Sequence, residues 1–177
     1  MATRKGVRRN MMPFFFWSLS KRTVVAVVAA CAMLAPLSAV KAQDLPFIPP
    51  KGWVSVKVPA GLIGKWVQPG VDTFHQNMSV YAHKYSGTLA EYYVIDVHSL
   101  KTNYPGGDLA VSQDTTVCGD HAAKYVSYGL NTNAGPLIVE QVMTVQKSIA
   151  YVVTYVRLAG ERSDPVARQA MTTMCGI

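Results

Sequence analysis

PLIVEQVMTVQKSIAYVVTYVRL, residues 136–158, decides the fold. Val139, Met143 and Val145 fall on one side of a first strand, and Ile149, Tyr151, Val153 and Tyr155 alternate along a second. Lys147-Ser148 lies between them, with room for a tight turn. Period-two alternation on both sides of a short polar break predicts a β-hairpin. The rest of the chain reads as strands added to this hairpin and helices laid on it.

Upstream of the hairpin, Asn131–Gly135 is a polar loop and His121–Leu130 a strand. Gly119-Asp120 forms a turn, and Leu109–Val117 is another strand, most β-prone at Thr115-Thr116-Val117. Before these comes a helix with a defined start. Thr88-Leu89-Ala90-Glu91 is a capping box, in which hydroxyl and carboxylate reciprocally satisfy backbone amides. Leu89, Tyr93, Val97 and Leu100 follow at helical spacing with Tyr92 beside them, and Asn103–Gly107 (NYPGG) stops the helix. Three strands are expected earlier still, over Trp53–Val58, Leu62–Gln68 and Asn77–Lys84. Turns at Pro59-Ala60-Gly61 and Pro69-Gly70 separate them, and the proline-rich stretch 43–52 leads in. Downstream, Gly160–Arg162 closes the sheet. Asp164 caps a final helix with Pro165 in its first turn and Val166, Ala170 and Met174 as its apolar stripe. The order β-β-β-α-β-β-β-β-α predicts an α+β fold, an antiparallel sheet of six to seven strands with helices packed on it.

Residues 1–42 read as an export signal. Arg4, Lys5, Arg8, Arg9, Lys21 and Arg22 precede an apolar core, TVVAVVAACAMLAP, from Thr23 to Pro36. That core is short of the ~20 apolar residues a membrane-spanning helix needs, and Val40-Lys41-Ala42 offers small residues for cleavage after Ala42. Alternatives are a retained anchor, a start at Met11 or Met12, and a twin-arginine signal at Arg8-Arg9. A lipoprotein box at Val28-Ala29-Ala30-Cys31 would tether the protein to a membrane through a lipid on Cys31. Removal of the leader changes the charge argument. The whole chain carries a formal charge of +7, but seven of its 17 Lys and Arg residues and none of its ten Asp and Glu residues lie in 1–42. Residues 43–177 are neutral by formal count, which argues against a nucleic-acid partner. They are long enough for a single domain.

Of the three cysteines, Cys31 belongs to the leader. Cys118 and Cys175 then form an even pair in an oxidising compartment and are read as a disulfide. Closing so long a loop stabilises by roughly 4 kcal/mol in the chain-entropy model. The wide spacing suggests neither a redox motif nor a zinc site.

Several landmarks together resemble the Mog1/PsbP-like proteins, including exported bacterial ones, over nearly all of 43–177. They are Gly52-Trp53 at the start, Trp66 in a short strand, Asn77 opening the third strand, the capped helix, the meander ending in AYVVTY, and a last helix ending in MTTMC. The resemblance implies an antiparallel sheet with helices on its faces, an α/β/α sandwich, and a binding or accessory role. It transfers no site residue.

Candidate chemistry is sparse. His121 beside Asp120 would supply half of a metal or acid–base site, but no third ligand is near in sequence, and a turn-flanking surface pair is the plainer account. His75 and His83 would lie about 26 Å apart on one unbroken strand, and His98 is expected on a solvated helix face. Glu140 is opposite in parity to Val139 and Met143, so it faces solvent or, alternatively, serves as an acid in a cupped sheet. No GxSxG motif or phosphate loop is present. Asn77-Met78-Ser79 matches a glycosylation acceptor but falls in a strand. Tyr81, Tyr85, Tyr92, Tyr93, Tyr125, Tyr128, Tyr151 and Tyr155 cluster on regular elements. Tyr92/Tyr93 and Tyr125/Tyr128 must point to opposite faces, so exposed tyrosines are expected. The sequence thus predicts an exported, periplasmic or secreted, non-enzymatic accessory module that binds an unknown protein or small ligand in the cell envelope. No cofactor or metal is called for. The alternative is a small hydrolase or isomerase-like enzyme using an acid–base residue in a sheet-helix cleft.

Overall fold

A computed structural model describes residues 47–58, 61–70, 74–133 and 135–175. The leader, Cys31, the cleavage point after Ala42, the first residues of the proline-rich lead-in and the Pro59-Ala60 part of a turn lie outside the described residues.

The predicted hairpin is the centre of the sheet. β6 (Gly135–Gln146) and β7 (Ile149–Leu158) pair from Leu137↔Leu158 to Gln146↔Ile149. Lys147 (φ 48°) and Ser148 (φ 60°) make the two-residue turn, both in the left-handed region that a twist-matched hairpin requires. Around it lie β1 (Val54–Ser55), β2 (Leu62–Val67), β3 (Asn77–Lys84), β4 (Asp108–Val117) and β5 (His121–Thr132). The sheet is antiparallel throughout, in the order β1-β2-β3-β7-β6-β5-β4. α1 (Leu89–Asn103) takes the chain from β3 to β4 at the far edge, over β7, β6 and β5. α2 (Pro165–Met171) follows β7.

Alternation along the two central strands divides the core in two. Val139, Met143, Val152 and Val156 pack on the α1 side with Tyr92, Leu100, Val126, Tyr128 and Leu130. Val142, Val153 and Tyr155 point the other way, toward Ala167, Ala170, Met171 and Met174 from α2 and its C-terminal extension, with Trp66, Met78 and Val80. The result is the expected α+β arrangement of helices on both faces of a seven-stranded sheet. Phe47 of the lead-in is buried against Trp66, ring centroids 5.2 Å apart. The Trp66 ring lies where a Cβ on Gly64 would stand, so this position requires glycine.

Four expectations need correction. The strand foreseen over Trp53–Val58 shrinks to two exposed residues of β1, because Trp53 turns away to donate its indole N–H to Asp164 at 3.3 Å. β5 continues to Thr132 and β6 begins at Gly135, so most of the foreseen 131–135 loop is strand, paired Thr132↔Gly135. The capping box of α1 is present, with both of its bonds made. Its buried stripe, however, is Tyr92, Asp96 and Leu100, with Tyr93 and Val97 half-buried at the flank. α2 buries Ala167, Ala170 and Met171, while Val166 is 38 % exposed. Its Asp164 cap bonds the Val166 amide as expected.

The end of the chain is held by covalent and polar links. Cys118 and Cys175 form a disulfide, with Cα atoms 5.4 Å apart and a sequence separation of 57. The Cys118 amide also donates to the Thr172 carbonyl at 2.9 Å, tying the β4–β5 turn to the end of α2.

Candidate functional site

Period two puts Glu140 on the α2 face between Ile138 and Val142, opposite Tyr155 on β7 and Ser127 on β5. It is fully buried, not solvent-facing as its parity suggested, because α2 lies over that face. Burying a carboxylate requires partners, and Glu140 has three. Arg168 of α2 donates from Nε to Oε2 at 3.1 Å and from Nη2 to Oε1 at 3.2 Å. Arg157 of β7 donates from Nε to Oε1 at 3.3 Å, and the Tyr125 hydroxyl of β5 donates to Oε2 at 2.9 Å. Arg157 is itself anchored by the Glu161 carbonyl at 2.7 Å. Burial, reinforced by the Glu140 charge, pushes the Tyr125 phenol up to about 12. The bonds to Glu140 hold the Arg168 guanidinium above its ordinary range. This group joins four elements, β5, β6, β7 and α2, and leaves little of Glu140 for a ligand.

Asp120 and His121 are exposed at the β4–β5 turn. They sit beside the disulfide and not beside Glu140, which pairs with Ser127, roughly 20 Å further along β5 by strand rise. Among the described residues no three His, Cys, Asp or Glu side chains are grouped to hold a metal ion. His98 is exposed, as expected. The eight tyrosines differ from expectation, since all are buried or half-buried. Tyr92 and Tyr128 go into the α1 interface, Tyr151 and Tyr155 into the α2 side, and Tyr81, Tyr85 and Tyr92 close around His83. Burial lowers the tendency of the His83 imidazole to take a proton.

The group that sequence reasoning missed is on α1. Asp96 is 3 % exposed and faces the sheet one turn after Tyr92 and one turn before Leu100. Burial raises its carboxyl to about 6. Its charge, second to burial, adds to the upward shift of the Tyr92 phenol and of Tyr128, which stands at about 12. Asp96 Oδ2 and the Tyr128 hydroxyl have no hydrogen-bond partner among the described residues, nor do Gln141 Oε1 and His83 Nδ1 on the same face of the sheet. Gln141 uses only its amide, donating to Thr154 Oγ1 at 3.1 Å. The i, i+4, i+8 spacing of Tyr92, Asp96 and Leu100 was legible, but an acid in the middle of a stripe counts against burial. Two depressions lie at the end of this interface. A crevice too narrow for water is lined by Leu100, Lys101, Tyr104, Gly107, Tyr128 and Leu130. An open cleft of about 390 Å3 shares Tyr104, Gly107 and Leu130 with it and adds Asn103, Asn131 and Thr132.

No protein-family model matches the chain, and no curated protein matches it. Solved structures do. LpqN of Mycobacterium tuberculosis, described as involved in cell envelope biogenesis, aligns with a TM-score of 0.57 at 17% identity, covering 73% of this chain and 78% of that one. PA94 of Pseudomonas aeruginosa, a protein of unknown function described as a putative regulator, aligns at 0.56 and 16%, covering 71% and 97%. Cyanobacterial PsbP from Synechocystis sp. PCC 6803 aligns at 0.48 and 13%, covering 64% and 74%. At these identities the likeness is one of fold. That fold is an antiparallel sheet with helices packed on it, as the sequence landmarks implied. No helix among the described residues is long and apolar enough to cross a membrane.

Proposed function

We propose that this protein is an exported accessory module of the cell envelope that works by binding a partner and not by catalysis. The observation that carries the reading is the Cys118–Cys175 bridge, which fastens the C-terminal helix to the β4–β5 turn. Such bonds persist in oxidising compartments, and the basic-then-apolar leader at 1–42 agrees with export. The fold shared with LpqN, described as involved in cell envelope biogenesis, fits the same reading. Glu140 supports a non-catalytic role, because its bonds to Arg157, Arg168 and Tyr125 join α2 to the sheet. The test is fractionation of a bacterium expressing the full chain, with intact-mass and thiol analysis of the product and cross-linked capture from the envelope. A thiol-free product beginning at Gln43, recovered with a reproducible envelope partner, is expected. Cytoplasmic retention with free thiols would refute export, and a lipid on Cys31 would replace soluble release with a tether.

One observation favours the enzymatic alternative, and it points to Asp96 instead of Glu140 or His121. A buried carboxyl raised to about 6 beside an unpartnered tyrosine is the kind of group that serves acid–base chemistry. Turnover lost on Asp96→Asn would establish that reading.

A further inference from the structure

The open cleft of about 390 Å3 at the end of α1 falls in the size range of small-ligand sites, roughly 300–1,000 Å3. Three segments build it. α1 ends at Asn103, and the NYPGG stop then folds back against the end of β5. Gly107 permits that approach, since a Cβ there would stand 2.8 Å from Leu130 Cδ2 and 3.2 Å from the Tyr104 carbonyl. Gly106 turns the loop at φ 97°, and a Cβ there would meet nothing within 4 Å, so this part of the rim is unobstructed. β5 runs on past Leu130 to Asn131 and Thr132, both exposed.

No residue lining this cleft carries a charge, so a charged ligand would find no counter-ion in its walls. Its polar groups are instead neutral hydrogen-bonding ones. The Asn103 amide donates to Ser99 Oγ at 3.1 Å, and the Thr132 hydroxyl donates to the Gly135 carbonyl at 2.8 Å. With those hydrogens so used, Asn103 Oδ1 and Thr132 Oγ1 are suited to accept from a ligand, and the Asn131 amide offers both donor and acceptor. Tyr104 and Leu130 supply apolar surface between them. Burial pushes the Tyr104 phenol up to about 12, so it keeps its proton at neutral pH. A sugar ring has the matching chemistry. Its hydroxyls donate and accept around the edge, and its C–H face is apolar enough to pack on an aromatic ring. We propose that this cleft binds a neutral sugar, its C–H face against Tyr104 and Leu130 and its hydroxyls bonded to Asn103, Asn131 and Thr132. The cleft uses none of the groups on which the export reading rests, so the two readings stand or fall separately.

The test titrates five probes into the full disulfide-bonded protein in mildly acidic buffer and follows amide NMR shifts. Methyl glucoside and methyl galactoside are neutral sugars, glucosamine and glucuronate carry opposite charges on a similar ring, and cyclohexanol keeps the ring but only one hydroxyl. At least one neutral glycoside is expected to bind with a Kd of roughly 1–10 mM, shifting the amides of Gly106, Gly107, Asn131 and Thr132. The charged sugars and cyclohexanol should bind more weakly. Asn131→Ala, at an exposed site where folding is not at stake, should weaken the glycoside about fivefold, the worth of one neutral hydrogen bond, and leave cyclohexanol unchanged. Tyr104→Phe should retain most of the binding and Tyr104→Leu should lose it, since the ring face and not the hydroxyl carries the contact. No shift at the cleft from either glycoside at about 100 mM would overturn the proposal. So would shifts centred elsewhere, equal or tighter binding of glucosamine, glucuronate or cyclohexanol, or an unchanged affinity in Asn131→Ala.

Discussion

Replacing Asp96 with Asn should stabilise the protein near neutral pH, and the effect should vanish in acid. The Asp96 carboxyl stands at about 6 in the folded protein against 3.8 for an ordinary aspartate. Below 3.8 the folded and unfolded chains both hold the proton, and Asp96 has no influence on pH dependence. Between 3.8 and 6 the unfolded chain ionises while the folded one does not, so stability falls as pH rises. Above 6 the full penalty is in place, about 3 kcal/mol for a carboxyl raised this far. Asn keeps the shape and polarity of the side chain but removes the ionisation. At pH 7 Asp96→Asn should therefore gain up to about 3 kcal/mol, on the order of 10 °C in Tm for a domain of this size. Two other groups oppose this trend. Glu91, held low by the Thr88 cap, and His83, held low by burial, both lose stabilisation as pH falls. Subtracting the variant's profile from that of the natural protein cancels both and leaves the contribution of Asp96. The assay is urea unfolding at half-unit steps from pH 3 to 8. A difference that is flat across that range, or that grows toward acid, would refute the placement of an unpaired carboxyl beneath α1.

Three further predictions rest on other parts of the fold. Glu140→Gln leaves Arg157, whose side chain is 14% exposed, without its anion, and should cost about 3–5 kcal/mol in urea unfolding. Arg168→Ala should cost clearly less, since that side chain is 54% exposed, and equal losses would contradict the geometry. Cys118→Ser and Cys175→Ser should lower Tm by similar amounts, with the double variant no worse than either, for a loss of roughly 4 kcal/mol; two free thiols per denatured, unreduced chain would end the idea. Lys147→Asn with Ser148→Gly suits the left-handed turn between β6 and β7 and should raise stability by about 1–2 kcal/mol. No gain would mean that the turn does not hold this conformation in solution.

The elements themselves were legible because each depends on local chemistry. The β6–β7 hairpin follows from strict alternation around a two-residue break. The start of α1 follows from reciprocal bonds within Thr88–Glu91, and the start of α2 from Asp164 before Pro165. The Cys118–Cys175 pair follows from counting, and the α+β architecture from the order of these parts. What the sequence could not decide was which polar groups are covered. Glu140 reads as a surface residue on its strand and becomes core because α2, 28 residues later, brings Arg168 over it. Asp96 breaks an apolar stripe by composition, yet it is turned inward because it shares a face of α1 with Tyr92 and Leu100, both buried against the sheet. Alternation along a strand determines which face a residue is on. Only the packing of distant elements determines whether that face is wet, and it is this packing that left one buried acid matched and the other without a counter-ion among the described residues.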